Sequence, residues 1–177
     1  MSRRQYRRNG TPIGKYKVYA LAFNGGARTQ AYEIIPSGIE TYEDLESLVM
    51  LEMIEGKFGA PDRLVITKPG VDLGHQDLYN IDMRGVDLSG ANLRGADLRL
   101  SNLSRSNLRG ADISEAHLDH ADIEGAELKG AILTKASLLR VKIADAIHAG
   151  ADFGAAYYPF GKAPAGWYVG YCRLYRR

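Results

Sequence analysis

The sequence is poor in cysteine and has no long apolar run. Its 177 residues include a single cysteine, Cys172, which excludes an intrachain disulfide. A reducing, cytoplasmic environment fits this composition. No apolar run approaches the roughly 20 residues that a membrane-spanning helix needs, so we expect no membrane contact.

An excess of charge of one sign is also missing. The chain has 23 basic and 21 acidic residues, which leaves a formal net charge of +2. Hydrophobic residues make up 45% and charged residues 25%, as in ordinary folded proteins. This composition argues against a disordered chain.

A five-residue repeat runs from Val71 to Ala155. Its 17 units are centred on residue 73 and on every fifth residue up to 153, and eleven of the centres are Leu. Ten of the residues two before a centre are Ala, and eleven of those directly before it are Asp or Asn. A period of five fits neither an α-helix nor a strand, but it fits a coil that turns a corner every five residues. We expect the centres to point inward and the Asp and Asn side chains to bind backbone N–H groups at the corners.

Units such as Ala91-Asn92-Leu93-Arg94-Gly95 and Ala96-Asp97-Leu98 resemble the pentapeptide-repeat family, whose motif is written A(D/N)LXX. The resemblance covers residues 71–155 and implies a bacterial or phage protein, in the cytoplasm or in a virion. It also implies a mainly β fold, a right-handed quadrilateral parallel β-helix of about four coils. The sequence departs from the motif at Gln76, Ile132, Lys142, Ile147 and His148.

The flanking segments are predicted to cap the two ends of the repeat. We divide the chain into a basic N-terminal arm (1–17), a ββαβ capping domain (18–70), the repeat (71–155) and an aromatic-rich C-terminal cap (156–177). Strands are expected at 16–23, 29–35, 63–67 and 167–175, and a helix at 42–55. The helix would begin at a capping box formed by Thr41 and Asp44. Trp167, Tyr168 and Tyr171 are expected to cover the last coil or to form an interface.

Residues 20 apart should stack on one side of such a coil, and one side is more apolar than the others. Tyr79, Leu100 and Leu139 are expected to point outward there, and they form the candidate protein-contact face. The alternative is that the caps fold over Tyr79 and Leu139. A second column consists of glycines alone, which suggests a backbone conformation that other residues resist. Its members are Gly90, Gly110, Gly130 and Gly150.

The N-terminal arm is a candidate for contacts with phosphates or with an acidic partner, because it has six basic and no acidic residues. These are Arg3, Arg4, Arg7, Arg8, Lys15 and Lys17. A solubilising tail is the alternative. Five arginines of the repeat are expected to form exposed ion pairs, with Arg99 stacked over Asp119. They are Arg84, Arg94, Arg99, Arg105 and Arg109.

No catalytic, metal-binding or cofactor-binding site is expected. His117 and His120 would lie about 10 Å apart on an extended side, too far to share a metal. We therefore predict a non-enzymatic binding or scaffold protein that presents a rigid repeat surface to an unidentified protein.

Two other functions stay open, as does a homo-oligomer. The resemblance implies DNA gyrase as one partner, because the best-understood family members bind it and imitate DNA. The repeat has 13 acidic and nine basic residues, however, and its balance of −4 is small for a DNA mimic. The remaining alternative is a nucleic-acid- or virion-associated structural protein that acts through its basic arm.

Overall fold

The fold is mainly strand, with one α-helix in the part of the chain that the structure describes. A computed structural model describes residues 17–23, 30–34, 39, 41–54, 61, 63–143, 150–158, 163, 167–170 and 173–176. The elements in chain order are β1 (Val18–Phe23), β2 (Gln30–Ile34), α1 (Tyr42–Ile54), β3 (Arg63–Ile66), β4 (Trp167–Gly170) and β5 (Arg173–Arg176).

The repeat forms a β-helix-like stack in which the chain pairs with itself every 20 residues. Parallel bridges join Asp72 to Asn92, Asn92 to Asp112 and so on along the stack. The backbone bonds follow this spacing, since Asp112 N–H donates to Ala91 at 2.9 Å and Leu93 N–H donates to Asp112 at 2.7 Å. Successive coils therefore support one another through backbone hydrogen bonds.

The repeat centres form the core of the stack. Every described centre, from Leu73 to Ile143 together with Phe153, is at most 3% exposed. The small residues two positions earlier are also buried, apart from the partly exposed Gln76, while His148 lies outside the described residues. The predicted inward set is confirmed for the described units, because a large centre fits between coils only beside a small neighbour.

Each Asp or Asn directly before a described centre makes the predicted side-chain bond. In all eleven cases Oδ1 accepts the N–H of the residue two positions later, at 2.9–3.3 Å. Asn92 and Asn107 also donate from Nδ2 to the Asp residue 20 positions earlier. The motif thus stabilises both the corner and the stacking of coils.

Every described corner after a centre has a left-handed backbone, and glycine is not required there. Gly90, Gly110, Gly130 and Gly150 have φ between +65° and +74°, as their column suggested. Nine non-glycine residues share the conformation, however, among them Leu100 at +60° and Arg105 at +59°. The expectation that other residues resist this corner was therefore too strong, because the ladder of backbone bonds holds it whatever the side chain.

A three-stranded antiparallel sheet lies against the first coils, with strand order β2-β1-β3. Tyr19 and Leu21 on one side of β1 pack into the repeat core, while Val18 and Ala20 on the other pack against α1. Lys17 N–H donates to Gly85 at 2.8 Å and ties the sheet to the stack. The central strand is buried on both faces, which explains its unbroken apolar sequence.

The helix α1 begins at the predicted capping box. Thr41 Oγ1 accepts the N–H of Asp44 at 3.2 Å and donates to the Asp44 carboxylate at 2.8 Å. The buried side chains of Tyr42, Leu45 and Val49 then face β1. Helix packing thus follows from an apolar stripe with a period near 3.6 residues.

The C-terminal residues differ from the single predicted strand, because they form a hairpin. Strand β4 pairs antiparallel with β5, with Trp167 opposite Arg176. Leu174 N–H donates to Ala156 at 2.9 Å, so β5 extends the last coil. The sequence prediction had joined these two short strands into one at 167–175.

Candidate functional site

The candidate protein-contact face lies along one side of the stack. Leu100 is 45% exposed, while Tyr79 and Leu139 are half-buried. One side of the stack is defined by bridges that join Asp77 to Asp97, Asp97 to His117 and His117 to Ser137. This side carries Tyr79, Leu139 and the corner residue Leu100. The structure therefore brings the three residues to one side, with Leu100 the most accessible of them.

Arg99 borders this face and is held in place by two neighbours. Its guanidinium pairs with the Asp97 carboxylate and lies 5.6 Å from the centre of the Tyr79 ring. This pairing lowers the pKa of Asp97 and raises the pKa of Arg99. A charge fixed beside an aromatic ring gives the face a polar rim of defined geometry.

Arg99 lies one coil from Asp119, as expected, but its ion pair is with Asp97. Asp119 instead accepts the hydroxyl of Ser137 and, at 3.1 Å, the N–H of Leu139. Ser137 stands where the motif has Asp or Asn, and Asp119 from the preceding coil supplies the missing acceptor. This bond fixes the corner that carries Leu139.

Sequence reasoning missed Tyr157 as part of this side. Tyr157 is exposed and bridges to Ser137, so it continues the same side by one coil. Ile132, also exposed, lies on the adjacent side. Both occupy the position of the motif's Asp or Asn, and an apolar residue at that outward position is the signal that could have identified them.

The other charged side chains of the repeat are mostly neutralised within the chain. Four of the five arginines form exposed ion pairs, as predicted: Arg84 with Asp82, Arg94 with Glu115, Arg99 with Asp97 and Arg109 with Glu127. Hydrogen bonds from Arg84 and from Ser114 lower the pKa of Asp82 and of Asp112, respectively. Because of these ion pairs, the described stack has no long run of side chains with a single charge.

Most of the predicted basic site lies outside the described residues. Arg3, Arg4, Arg7, Arg8 and Lys15 all fall there. Lys17 is described, and its ammonium pairs with Glu33 at 2.9 Å. This pairing with Glu33 raises the pKa of Lys17. The one described member of the set is therefore engaged within the fold.

Of the three C-terminal aromatic residues, Trp167 has a described side chain. The Trp167 ring is buried edge-on against Phe153, with 5.6 Å between ring centres, in the core of the stack. Val169, two residues later, is exposed. The Tyr168 side chain, Tyr171 and Cys172 lie outside the described residues. Trp167 therefore acts in packing rather than in an exposed interface.

The described residues contain no group of three or more His, Cys, Asp or Glu side chains placed to hold a metal ion. Within the same part of the chain, no helix has the length and hydropathy to cross a bilayer.

The stacked coils and their side-chain-capped corners define a repeat protein of the β-helix type. Residues 70–105 and 101–138 match the family of pentapeptide repeats in eight copies. Residues 70–138 of the chain are thus pentapeptide repeats, as the motif indicated. The comparison with curated proteins gave no match.

Two solved structures are similar to parts of the chain. HetL of Nostoc sp. strain PCC 7120, a pentapeptide repeat protein involved in heterocyst differentiation regulation, is 31% identical, with a TM-score of 0.40. The match covers 59% of this chain and 47% of HetL, so the chain spans about half of HetL. A pentapeptide repeat protein from the thylakoid lumen of Arabidopsis thaliana is 25% identical over 55% of this chain and 68% of that one, with a TM-score of 0.25.

Proposed function

We propose that the chain is a non-enzymatic scaffold protein that presents one side of its repeat stack to a protein partner. The contact surface is the candidate protein-contact face of Tyr79, Leu100 and Leu139, extended by Tyr157. The single observation that carries the proposal is the exposure of Leu100, a large apolar residue at a corner of the stack.

Leu100 differs from the residues that stack with it in the other coils. These are Asn80, His120 and Arg140, which are polar and share its left-handed backbone. The apolar side chain of Leu100 is 45% exposed, so it is only partly removed from water. An exposed large apolar residue in an otherwise polar column suggests a role in binding rather than in folding.

The surroundings of Leu100 suit a protein contact. Tyr79 and Leu139 are three coils apart, or about 14 Å at the spacing of neighbouring strands. Apolar side chains at the centre and charged ones such as Arg99 at the edge are the usual arrangement of a protein interface. Backbone bonds between the coils hold these positions before binding, which reduces the entropy lost on association.

The proposal includes a finer description of the stack, as a right-handed quadrilateral coil with four repeats in each turn and about four coils. The bridges between residues 20 positions apart support it, because four units of five residues span that distance. The division into arm, cap, repeat and C-terminal cap, the bacterial or phage origin and the cytoplasmic location likewise stay predictions.

Site-specific photo-crosslinking tests the proposed face. A photoreactive phenylalanine analogue is placed at Leu100, Leu139 or Tyr157, one at a time, in cells that express the protein. We expect one common protein adduct from all three positions, because they lie on one side. Arg105 is the matched control, since it has the same backbone conformation on the same coil but a different side. Equal adducts from Arg105, or none from Leu100, would contradict the proposal.

The alternative partners are less well supported. A DNA-mimicking gyrase ligand needs a strongly acidic face, whereas four repeat arginines neutralise acidic neighbours. Binding of nucleic acid through the N-terminal arm would rely on five basic residues, because Lys17 is paired with Glu33. A homo-oligomer through the same face would appear in the crosslinking experiment as an adduct of the chain with itself.

A further inference from the structure

The ladder of backbone bonds between coils is interrupted between Asp122 and Lys142, and Lys142 stands where the motif has Asp or Asn. One coil earlier the ladder is intact, because Asp122 N–H donates to Ser101 at 2.9 Å and Asp122 C=O accepts the N–H of Leu103 at 2.7 Å. Among the described residues no bridge and no backbone bond joins Asp122 or its neighbours to Lys142. Two successive coils are therefore not joined at this point of the stack.

A cleft with a volume of about 240 Å³ opens at this interruption. Residues 121–124 form one wall, and Arg140 and Lys142 form the other. The bridge from Asn102 to Asp122 lies on this side, so the cleft is not part of the candidate protein-contact face. A cavity of about 150 Å³ is enough to bind benzene, so a small polar molecule has room here.

Two buried backbone groups line the cleft without a backbone partner among the described residues. They are the C=O of Ala121 and the N–H of Ile123, the groups that Lys142 would bind if the ladder continued. Ala121 is 5% and Ile123 is 3% exposed. A buried backbone donor or acceptor without a partner costs about as much free energy as a lost hydrogen bond. The cleft therefore offers one donor and one acceptor to a ligand.

We propose that this cleft binds free L-asparagine, which takes the place of the motif residue that the ladder lacks. An α-amino acid carries its ammonium and carboxylate groups on one carbon, as one residue of a strand carries its N–H and C=O. The ammonium would donate to the Ala121 C=O, and the carboxylate would accept the Ile123 N–H. Asp122 makes the same two bonds to the coil before it, through Ser101 and Leu103.

The side chain of the ligand follows from the bonds that asparagine residues make elsewhere in the stack. Asn92 Nδ2 donates to Asp72 at 2.8 Å, and Asn107 Nδ2 donates to Asp87 at 3.0 Å. In each pair the aspartate lies one coil before the asparagine. Asp122 has the same place relative to the cleft, so the amide of bound asparagine would donate to its carboxylate.

The charges around the cleft favour a ligand without net charge. Asp122 and Glu124 on one wall balance Arg140 and Lys142 on the other. Within the described part of the chain no ion pair joins these walls. L-Asparagine is a zwitterion and suits this balance, whereas L-aspartate would bring a second carboxylate against Asp122.

Isothermal titration calorimetry with the full chain tests the proposal, with L-asparagine as the probe. L-Aspartate and D-asparagine are the controls. We expect L-asparagine to bind at least about tenfold more tightly than either control. L-Aspartate lacks the amide donor, and D-asparagine directs its side chain away from Asp122 when its other groups pair with the backbone. Equal binding of a control, or no binding of L-asparagine at about 10 mM, would overturn the proposal.

The variant Asp122→Asn should reverse the preference of the cleft. The corner should stay intact, since Asn102 occupies the same position one coil earlier. The new amide would donate to the side-chain carboxylate of L-aspartate, so we expect L-aspartate to bind about threefold or more tightly than L-asparagine. Asp112→Asn makes the same change on a different side and should leave the parent preference unchanged. A preference for L-asparagine that persists in Asp122→Asn, or is lost in Asp112→Asn, would contradict the assigned site.

Amide hydrogen exchange locates the bound ligand on the unmodified chain. L-Asparagine should slow exchange of the Ile123 amide proton, because its carboxylate accepts the hydrogen bond of this proton. Exchange at Leu103 should not change, since that N–H already donates to Asp122. Unchanged exchange at Ile123 in the presence of bound L-asparagine would rule out the cleft as the site.

Discussion

At the scale of single residues, the repeat depends on side chains that bind the backbone of their own corner. Asp112 illustrates this, because Oδ1 accepts both the N–H and the hydroxyl of Ser114. Such bonds could be predicted from the sequence, since they join residues two positions apart. The contact of Asp119 with Leu139 could not be predicted from local sequence, because it joins residues 20 positions apart.

The Asp112 carboxylate should be more acidic in the folded chain than in the unfolded one. The Ser114 hydroxyl holds its pKa below the usual 3.8. This stabilisation is present above pH 3.8 and is lost as the pH falls through the lower folded-state pKa. A carboxyl titration by ¹³C NMR should show this, and Ser114→Ala should move the pKa of Asp112 upward.

The companion variant Asp112→Asn separates charge from hydrogen bonding. Asparagine keeps the acceptor, as at the equivalent corner of Asn92, but cannot titrate. Stability near neutral pH should change little, and the loss on acidification should become smaller. An unchanged acid response in this variant, together with an ordinary pKa in the parent chain, would contradict the assigned role.

At the scale of elements, local signals gave the strands and the helix of the N-terminal part to within two residues. The apolar run at Val18–Phe23, the turn residues after it and the capping box at Thr41 are each contained in a short stretch. The C-terminal hairpin was missed because β4 and β5 were interpreted as one strand at 167–175. The sheet order β2-β1-β3 depends on tertiary packing, so the sequence did not indicate it.

Thr41→Ala should destabilise the chain by about 1 kcal/mol, because it removes the oxygen that accepts the Asp44 N–H in the first turn of α1. Thr41→Ser is the control and should retain most of the stability, since it keeps this oxygen. Urea unfolding followed by circular dichroism measures both. Equal stability of the alanine variant and the parent would show that the cap contributes nothing to the fold.

At the scale of the whole molecule, the inward positions of the stack stabilise the fold and the outward positions form its surface. The inward positions carry the core, and the ladder of backbone bonds fixes the corners whatever side chain they bear. Outward positions are therefore free to vary, and most of the described arginines there are balanced by acidic neighbours. Leu100 departs from this pattern, because it is large, apolar and exposed at a corner where the stacked residues Asn80, His120 and Arg140 are polar.

The free energy of unfolding of Leu100→Gly, measured in urea, tests this account most directly. Glycine removes the free-energy cost of the left-handed backbone at this corner. It also raises the conformational entropy of the unfolded chain and removes the buried part of the Leu100 side chain, and both effects lower stability. We expect stability to stay unchanged or to rise by up to about 1 kcal/mol, with Arg105→Gly as the control for backbone relief. A loss of more than about 1 kcal/mol in Leu100→Gly alone would mean that Leu100 is retained for folding and not for binding.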